Sequence, residues 1–217
     1  MLHRETSAEP ERMARALQGL RAYQEAARGE PRQLMPAIAQ RMGAKLRDYG
    51  GEGAPVLFVP SLINPPNILD LSEDRSLLRW LAARGHRVLL LDWGWDAKGR
   101  ERMSVAGHVE QILVPLIQDH GEPPALVGYC LGGTMAAAAA AVVPVRSLAT
   151  IAAPWRFCGF PAEARAMLAE LWNGARSAAE ALHLLPMEVL QTAFWSLDPG
   201  RTVSKFEAFA AIPAGSP

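Results

Sequence analysis

The stretch from Pro123 to Val145, PPALVGYCLGGTMAAAAAAVVPV, carries no charged residue. A uniform apolar helix of that length crosses a bilayer. Here three glycines cluster in the middle, three prolines mark the ends, and the second half is mostly alanine. That punctuation divides the run into a buried strand, a tight turn and a buried helix of small residues, and it argues against a transmembrane segment.

The neighbouring segments repeat the pattern. VLFVP, RVLLLDWG and RSLATIAAP read as further buried strands, and AKLRDYG as a weaker candidate. Between them, SEDRSLLRWLAARGH opens on a Ser, Glu and Asp cluster that caps a helix, and SVAGHVEQILVPLIQDHG reads as a helix after Ser104. Strands that are apolar throughout and separated by helices predict a mostly parallel sheet covered on both faces, the α/β class. Ahead of it, AEPERMARALQGLRAYQEAARGEP and RQLMPAIAQRM read as surface helices, the second broken by Pro36. After Pro154 the chain reads as helix after helix. The expected division is a helical extension over 1–44, an α/β core over 45–158 and the start of a helical cap over 159–217, with the last strands of the sheet missing.

With 217 residues, half of them apolar, the chain can bury a sizeable core. Its 22 basic and 22 acidic residues balance, which supplies no electrostatic case for nucleic acid or an anionic membrane. Two cysteines and an N-terminus charged from its third residue point to a reducing, cytoplasmic setting without a signal peptide. The five histidines are scattered, no Cys-x-x-Cys or His-Glu-x-x-His occurs, and GYCLGG lacks the spacing of a phosphate loop. No metal or cofactor is expected.

In Gly128-Tyr129-Cys130-Leu131-Gly132 the cysteine lies between a strand and a helix, the context of a nucleophile elbow. The alternative is a buried small residue, since free cysteine is among the most buried types. The flanking glycines favour the elbow. A nucleophile there holds strained backbone, and a side chain two residues before or after it would strike the adjoining strand or helix. The helix N-terminus would point amides at the sulfur and favour negative charge there, with the Leu131 amide available to an oxyanion. Cys158, beside Phe157 and Phe160, has no such context and reads as packing.

Three segments, VLFVPSLINPPNILDLSEDRSLLRWLAARGHRVLLLDWG, LVGYCLGGT and the stretch around FWSLDP, resemble the polyhydroxyalkanoate synthases of the α/β-hydrolase superfamily over roughly residues 45 to 210. The resemblance implies that Cys130 carries an acyl group and that the loop of Ser61, Leu62 and Ile63 supplies the second oxyanion amide. Asn64, Asp70 and Asp92 match family positions, but their residue types suit a turn, a helix approach and the polar end of a strand. In this superfamily the catalytic acid and histidine follow the nucleophile in chain order. The only histidine downstream is His183, read as packing within the helical segment, and His108 is a remote candidate for a substitute base.

The implied chemistry is acyl transfer from a coenzyme A thioester to Cys130 and on to a growing polyester. A thiol suits it because one thioester is exchanged for another, so the acyl group stays activated. The implied partners are hydroxyacyl-coenzyme A and polyester, at polymer granules, with possible homo- or hetero-oligomerisation. The helices from Phe160 to Leu197 would either exclude water as a cover or form plain core. Two other functions stay open: a polyester depolymerase or thioesterase sharing the same elbow, and a non-catalytic fragment that binds a synthase or a granule.

Overall fold

The computed structural model describes residues 2–26, 33–95 and 98–213. The chain divides into two compact units, one of residues 33–159 and one drawn from 1–32 together with 160–217. The end of the first predicted helix, residues 27–31, and the stop at Pro217 lie outside the described residues.

In the second of these units, helix α1 (Leu2–Thr6) precedes α2 (Pro10–Glu25), which starts on a proline where no amide donor is needed. Ala16 of α2 is buried with Val203 and Phe206 of a late helix, α9 (Pro199–Ala210). The two helices approach so closely that a methyl group on Gly19 would overlap the Phe206 carbonyl. Arg12 and Arg15 both reach Glu207, each at 3.3 Å.

The other unit is a sheet of six strands: β1 (Ala37–Arg41), β2 (Ala44–Asp48), β3 (Pro55–Val59), β4 (Arg87–Asp92), β5 (Ala125–Tyr129) and β6 (Ser147–Ile151). They lie in the order β1-β2-β4-β3-β5-β6. Strands β4, β3, β5 and β6 run parallel, while β1 and β2 join antiparallel at one edge. The mostly parallel sheet flanked by helices matches the expectation. One element differs: within RQLMPAIAQRM the segment Ala37–Arg41 forms β1, not a helix. Met42 and Gly43 both have positive φ, 48° and 82°, which is the backbone of a two-residue hairpin turn. That turn pairs β1 with β2 and overrides the weak helical spacing around Pro36.

Alternating side chains sort the core onto two faces. Leu57, Val59, Leu89, Leu91 and Leu126 pack on one face against Val109, Ile112, Leu113, Leu116 and Ile117. Those five belong to a π-helical turn (Val109–Leu113) and to α5 (Val114–His120), which continue without a break from α4 (Val105–His108). Met135, Ala136 and Ala139 of α6 (Leu131–Ala140) join the same face. Phe58, Val88 and Leu90 pack on the other face against Leu69 and Leu78, the latter from α3 (Leu77–Ala82), whose cap is Ser76. Each fully buried Leu or Phe contributes about 1.5–3 kcal/mol. The covering stops short of β6, where all five residues are exposed.

The uncharged run therefore becomes β5 and α6, and no described helix is long and apolar enough to cross a membrane. After β6 come a single 3-10 turn (Phe157–Gly159), α7 (Ala162–Leu182), α8 (Met187–Leu197) and α9, with no further strand among the described residues. In α7 only Ala175 is buried and in α8 no residue is. Their apolar side chains do not form a core of their own.

Candidate active site

The parallel register pairs Val59 with Gly128, so the loop leaving β3 and the turn leaving β5 emerge side by side. At that turn Cys130 has φ 54° and ψ −130°, a conformation worth roughly 1–3 kcal/mol of strain for a residue with a side chain. Surrounding bonds hold it there. The Cys130 amide donates to the Ile151 carbonyl on β6 at 2.9 Å, and its carbonyl accepts from the Gly133 amide at 2.8 Å. The thiol is half-buried, and α6 begins at the next residue.

Three glycines make the turn possible. A methyl group on Gly128 would overlap the backbone of Gly132 and Gly133, one on Gly132 the carbonyls of Val59 and Pro60, and one on Gly133 the Ala153 side chain. Thr134 ties α6 down further by donating its hydroxyl to the Pro154 carbonyl at 2.5 Å.

Two segments can present amides to an oxygen beside the sulfur. Leu131 is the first residue of α6, where a helix leaves its amides without intrahelical partners. On the β3 loop, the Ile63 amide donates to Ser61 Oγ at 3.0 Å, which leaves the amides of Ser61 and Leu62. Leu62 and Leu131 both lodge their side chains against the same apolar cluster, so their backbones are anchored in common.

The loop's carbonyl Pro60 accepts a 3.0 Å bond from the indole of Trp93, a residue 5 % exposed. Sequence reasoning passed over Trp93. Its signal was present in LLLDWG, since a tryptophan buried at a strand end needs an acceptor for its N–H. His108 meets the Trp93 ring edge-on at 5.7 Å, and its Nδ1 lies 2.9 Å from the Ser104 carbonyl.

The two aspartates are engaged in the scaffold. Asp92 accepts from Arg47 Nε at 2.7 Å and from the Gly94 amide at 2.9 Å. Asp70 accepts from Arg79 Nε and Tyr49 Oη, both at 3.0 Å, while Asn64 is exposed. Burial pushes the Asp70 carboxyl up, but hydrogen bonds from Ser76, Arg79 and Tyr49 and the Arg79 charge outweigh it and hold the group below its ordinary 3.8. A lowered folded value means stability present above 3.8 and lost as pH falls through the folded value. Asp70→Asn is therefore expected to cost about 1 kcal/mol at neutral pH, a figure reduced for the partial exposure of Arg79. In urea unfolding at a series of pH values, that difference from wild type narrows below 3.8.

Two expectations of packing need correction. Cys158 lies exposed in the 3-10 turn, because Phe157 and Phe160 beside it are themselves 55 % and 37 % exposed. His183 is exposed at the end of α7 with φ 53° and ψ 29°. It ends the helix in a left-handed conformation and does not continue the apolar face. Among the described residues no group of three or more His, Cys, Asp or Glu could hold a metal ion.

No protein-family profile matches the chain. Its curated relatives are poly(3-hydroxyalkanoate) polymerase subunits PhaC. That of Haloarcula marismortui is 29% identical over 186 residues, covering 82% of this chain and 39% of the relative. That of Haloferax mediterranei is 32% identical over 152 residues, covering 67% and 31%, and that of Allochromatium vinosum 30% identical over 153, covering 67% and 42%. The chain thus spans about two fifths or less of the length of these relatives. Among solved structures, a protein described as a putative non-heme bromoperoxidase BpoC from Mycobacterium tuberculosis superposes with a TM-score of 0.51 at 18% identity, over 86% of this chain and 68% of that one. The fold is that of the α/β hydrolases, and the homologues are polyhydroxyalkanoate synthases, as the sequence segments implied.

Proposed function

We propose that Cys130 is an acyl-accepting nucleophile and that the chain serves a polyhydroxyalkanoate-synthase-like acyltransferase acting on a hydroxyacyl-coenzyme A thioester and a polyester chain. The observation that carries this reading is the strained backbone of Cys130, held between β5 and α6 by close-packed glycines. Strain of this kind persists where the surroundings over-determine it, and it clusters at reactive groups. The α/β-hydrolase fold supports the placement, since that fold carries its nucleophile on a strand-to-helix turn of this kind.

In the reaction the Cys130 thiolate attacks the thioester carbonyl and the carbon–sulfur bond to coenzyme A breaks. The coenzyme A thiolate takes up the proton that the cysteine released. The hydroxyl end of a polyester then attacks the new thioester and regenerates the thiol. Leu131 and either Ser61 or Leu62 would donate amides to the oxyanion. On this reading the base comes from beyond the residues gathered at the elbow: His108 keeps its Nδ1 on the Ser104 carbonyl and its ring edge on Trp93, and among the described residues no hydrogen bond joins it to Cys130. On this reading the chain works together with a further histidine-bearing segment, in the cytoplasm at a polymer surface.

Acylation of the thiol tests the proposal without that base. At a pH of about 9, where hydroxide in solution can take the place of that base, 3-hydroxybutyryl-coenzyme A is expected to leave one hydroxyacyl group on the protein, located by mass spectrometry of peptides at Cys130. Cys130→Ser abolishes the adduct, and Cys158→Ala retains it. Free hydroxy acid accumulating at the rate of coenzyme A release would instead favour the hydrolase reading. Modification confined to the exposed Cys158 would overturn both.

A further inference from the structure

We propose that Trp93 is a positioning residue for acyl transfer: its indole N–H holds the Pro60 carbonyl and thereby sets the Ser61–Leu62 amides against the Cys130 elbow. The inference rests on the nucleophilic role of Cys130. Pro60 lies one residue beyond β3, past the last ladder pairing of Val59 with Gly128. A proline has no amide to donate, so its carbonyl is the one backbone group through which hydrogen bonding can hold it. That bond comes from Trp93 Nε1, 3.0 Å away and buried.

Trp93 is itself fixed on several sides. It directly follows β4, its backbone carbonyl accepts from Arg100 Nη2 at 2.7 Å, and its ring meets His108 edge-on with the planes at 80°. The Pro60 carbonyl is also one of the groups on which Gly132 closes. One carbonyl is thus gripped by the indole and abutted by the first turn of α6. The residues following it, Ser61 and Leu62, and the residue preceding Gly132, Leu131, are the candidate oxyanion donors. Releasing the grip leaves the sulfur in place but lets the two sets of amides drift apart, and a displacement of about 1 Å in such a constellation costs up to a hundredfold in rate.

Two reactions of the same thiol separate positioning from general support. Acylation by 3-hydroxybutyryl-coenzyme A passes through an oxyanion, whereas alkylation by iodoacetamide displaces iodide at a saturated carbon and forms none. Trp93→Phe keeps an aromatic ring and removes the donor. A second variant carrying 3-benzothienylalanine at position 93 keeps the full bicyclic shape and replaces the N–H with sulfur, so folding is preserved where the smaller ring leaves a void. Both are expected to slow acylation of Cys130 about ten- to a hundredfold at a pH of about 9 while alkylation stays within about twofold of wild type. Equal slowing of the two reactions, or no change in either, overturns the proposal. Wild-type protein that is alkylated at Cys130 but never acylated overturns the nucleophile reading itself, and the positioning role falls with it.

Discussion

Exchange of Gly132 for alanine is expected to remove more than about 4 kcal/mol of stability, beyond the range of ordinary substitutions. The added methyl group would sit inside the carbonyls of Val59 and Pro60. These are backbone atoms at the end of a central strand and have no rotamer to escape through. Relief requires the first turn of α6 to lift off β3. That movement would strip Met135, Ala136 and Ala139 from the apolar cluster they share with Val59 and Leu126. Soluble yield and urea unfolding measure the loss. Gly174 is the matched contrast: it lies within α7 with open space around its Cα. Alanine there is expected to stabilise by up to about 1 kcal/mol through helix propensity. A Gly132→Ala protein that unfolds within about 0.5 kcal/mol of wild type, inside the scatter of surface substitutions, would show that elbow and strand are not in contact.

The second large effect lies between β2 and β4, on the antiparallel side of the same sheet. The side chains of Arg47 and Asp92 are 9% and 11% exposed and meet at 2.7 Å across the antiparallel β2–β4 pair. Arg47 also donates to the Met35 carbonyl at 2.7 Å, ahead of β1. Arg47→Leu leaves a buried carboxylate with the Gly94 amide as its remaining hydrogen bond among the described residues, and such an uncompensated charge costs about 3–5 kcal/mol. Removing both charges in Arg47→Leu/Asp92→Leu is expected to recover much of that loss, because paired removal of a buried ion pair is often near neutral. A double-mutant cycle by urea unfolding reads the coupling. Losses that simply add would mean that the pair is solvated.

The contrast between these sites explains what the sequence disclosed. Gly128, Cys130 and Gly132 declare their geometry locally, because only a tight turn between buried elements calls for that spacing. The central strands were equally legible, since Val88-Leu89-Leu90-Leu91 serves both faces at once. Arg47 was not legible, because its meaning lies in a residue 45 positions away. Strand β1 was hidden for a related reason: it is an exposed edge strand with little apolar alternation, and its one local sign was Gly43 in the turn. Cys158 and His183 were misread because apolar neighbours in sequence stood in for burial. Cys158 sits in a 3-10 turn and His183 at a helix end, where those neighbours face solvent.

The pairing of α2 with α9 has a consequence for how the chain reaches its native state. Ala16 and Phe206 close a hydrophobic seam across almost the full length of the chain. In vectorial synthesis α2 leaves the ribosome well before α9, and residues 33–159 are made between them. The sheet strands, separated by shorter intervals, can condense in the meantime. Once residues 33–159 are compact, the long loop that α2 and α9 must close is already shortened by a folded insert, which lowers its entropic cost. The seam is therefore expected to form late, as a non-local step after consolidation of the sheet, and to appear as a slower phase in refolding followed by hydrogen exchange.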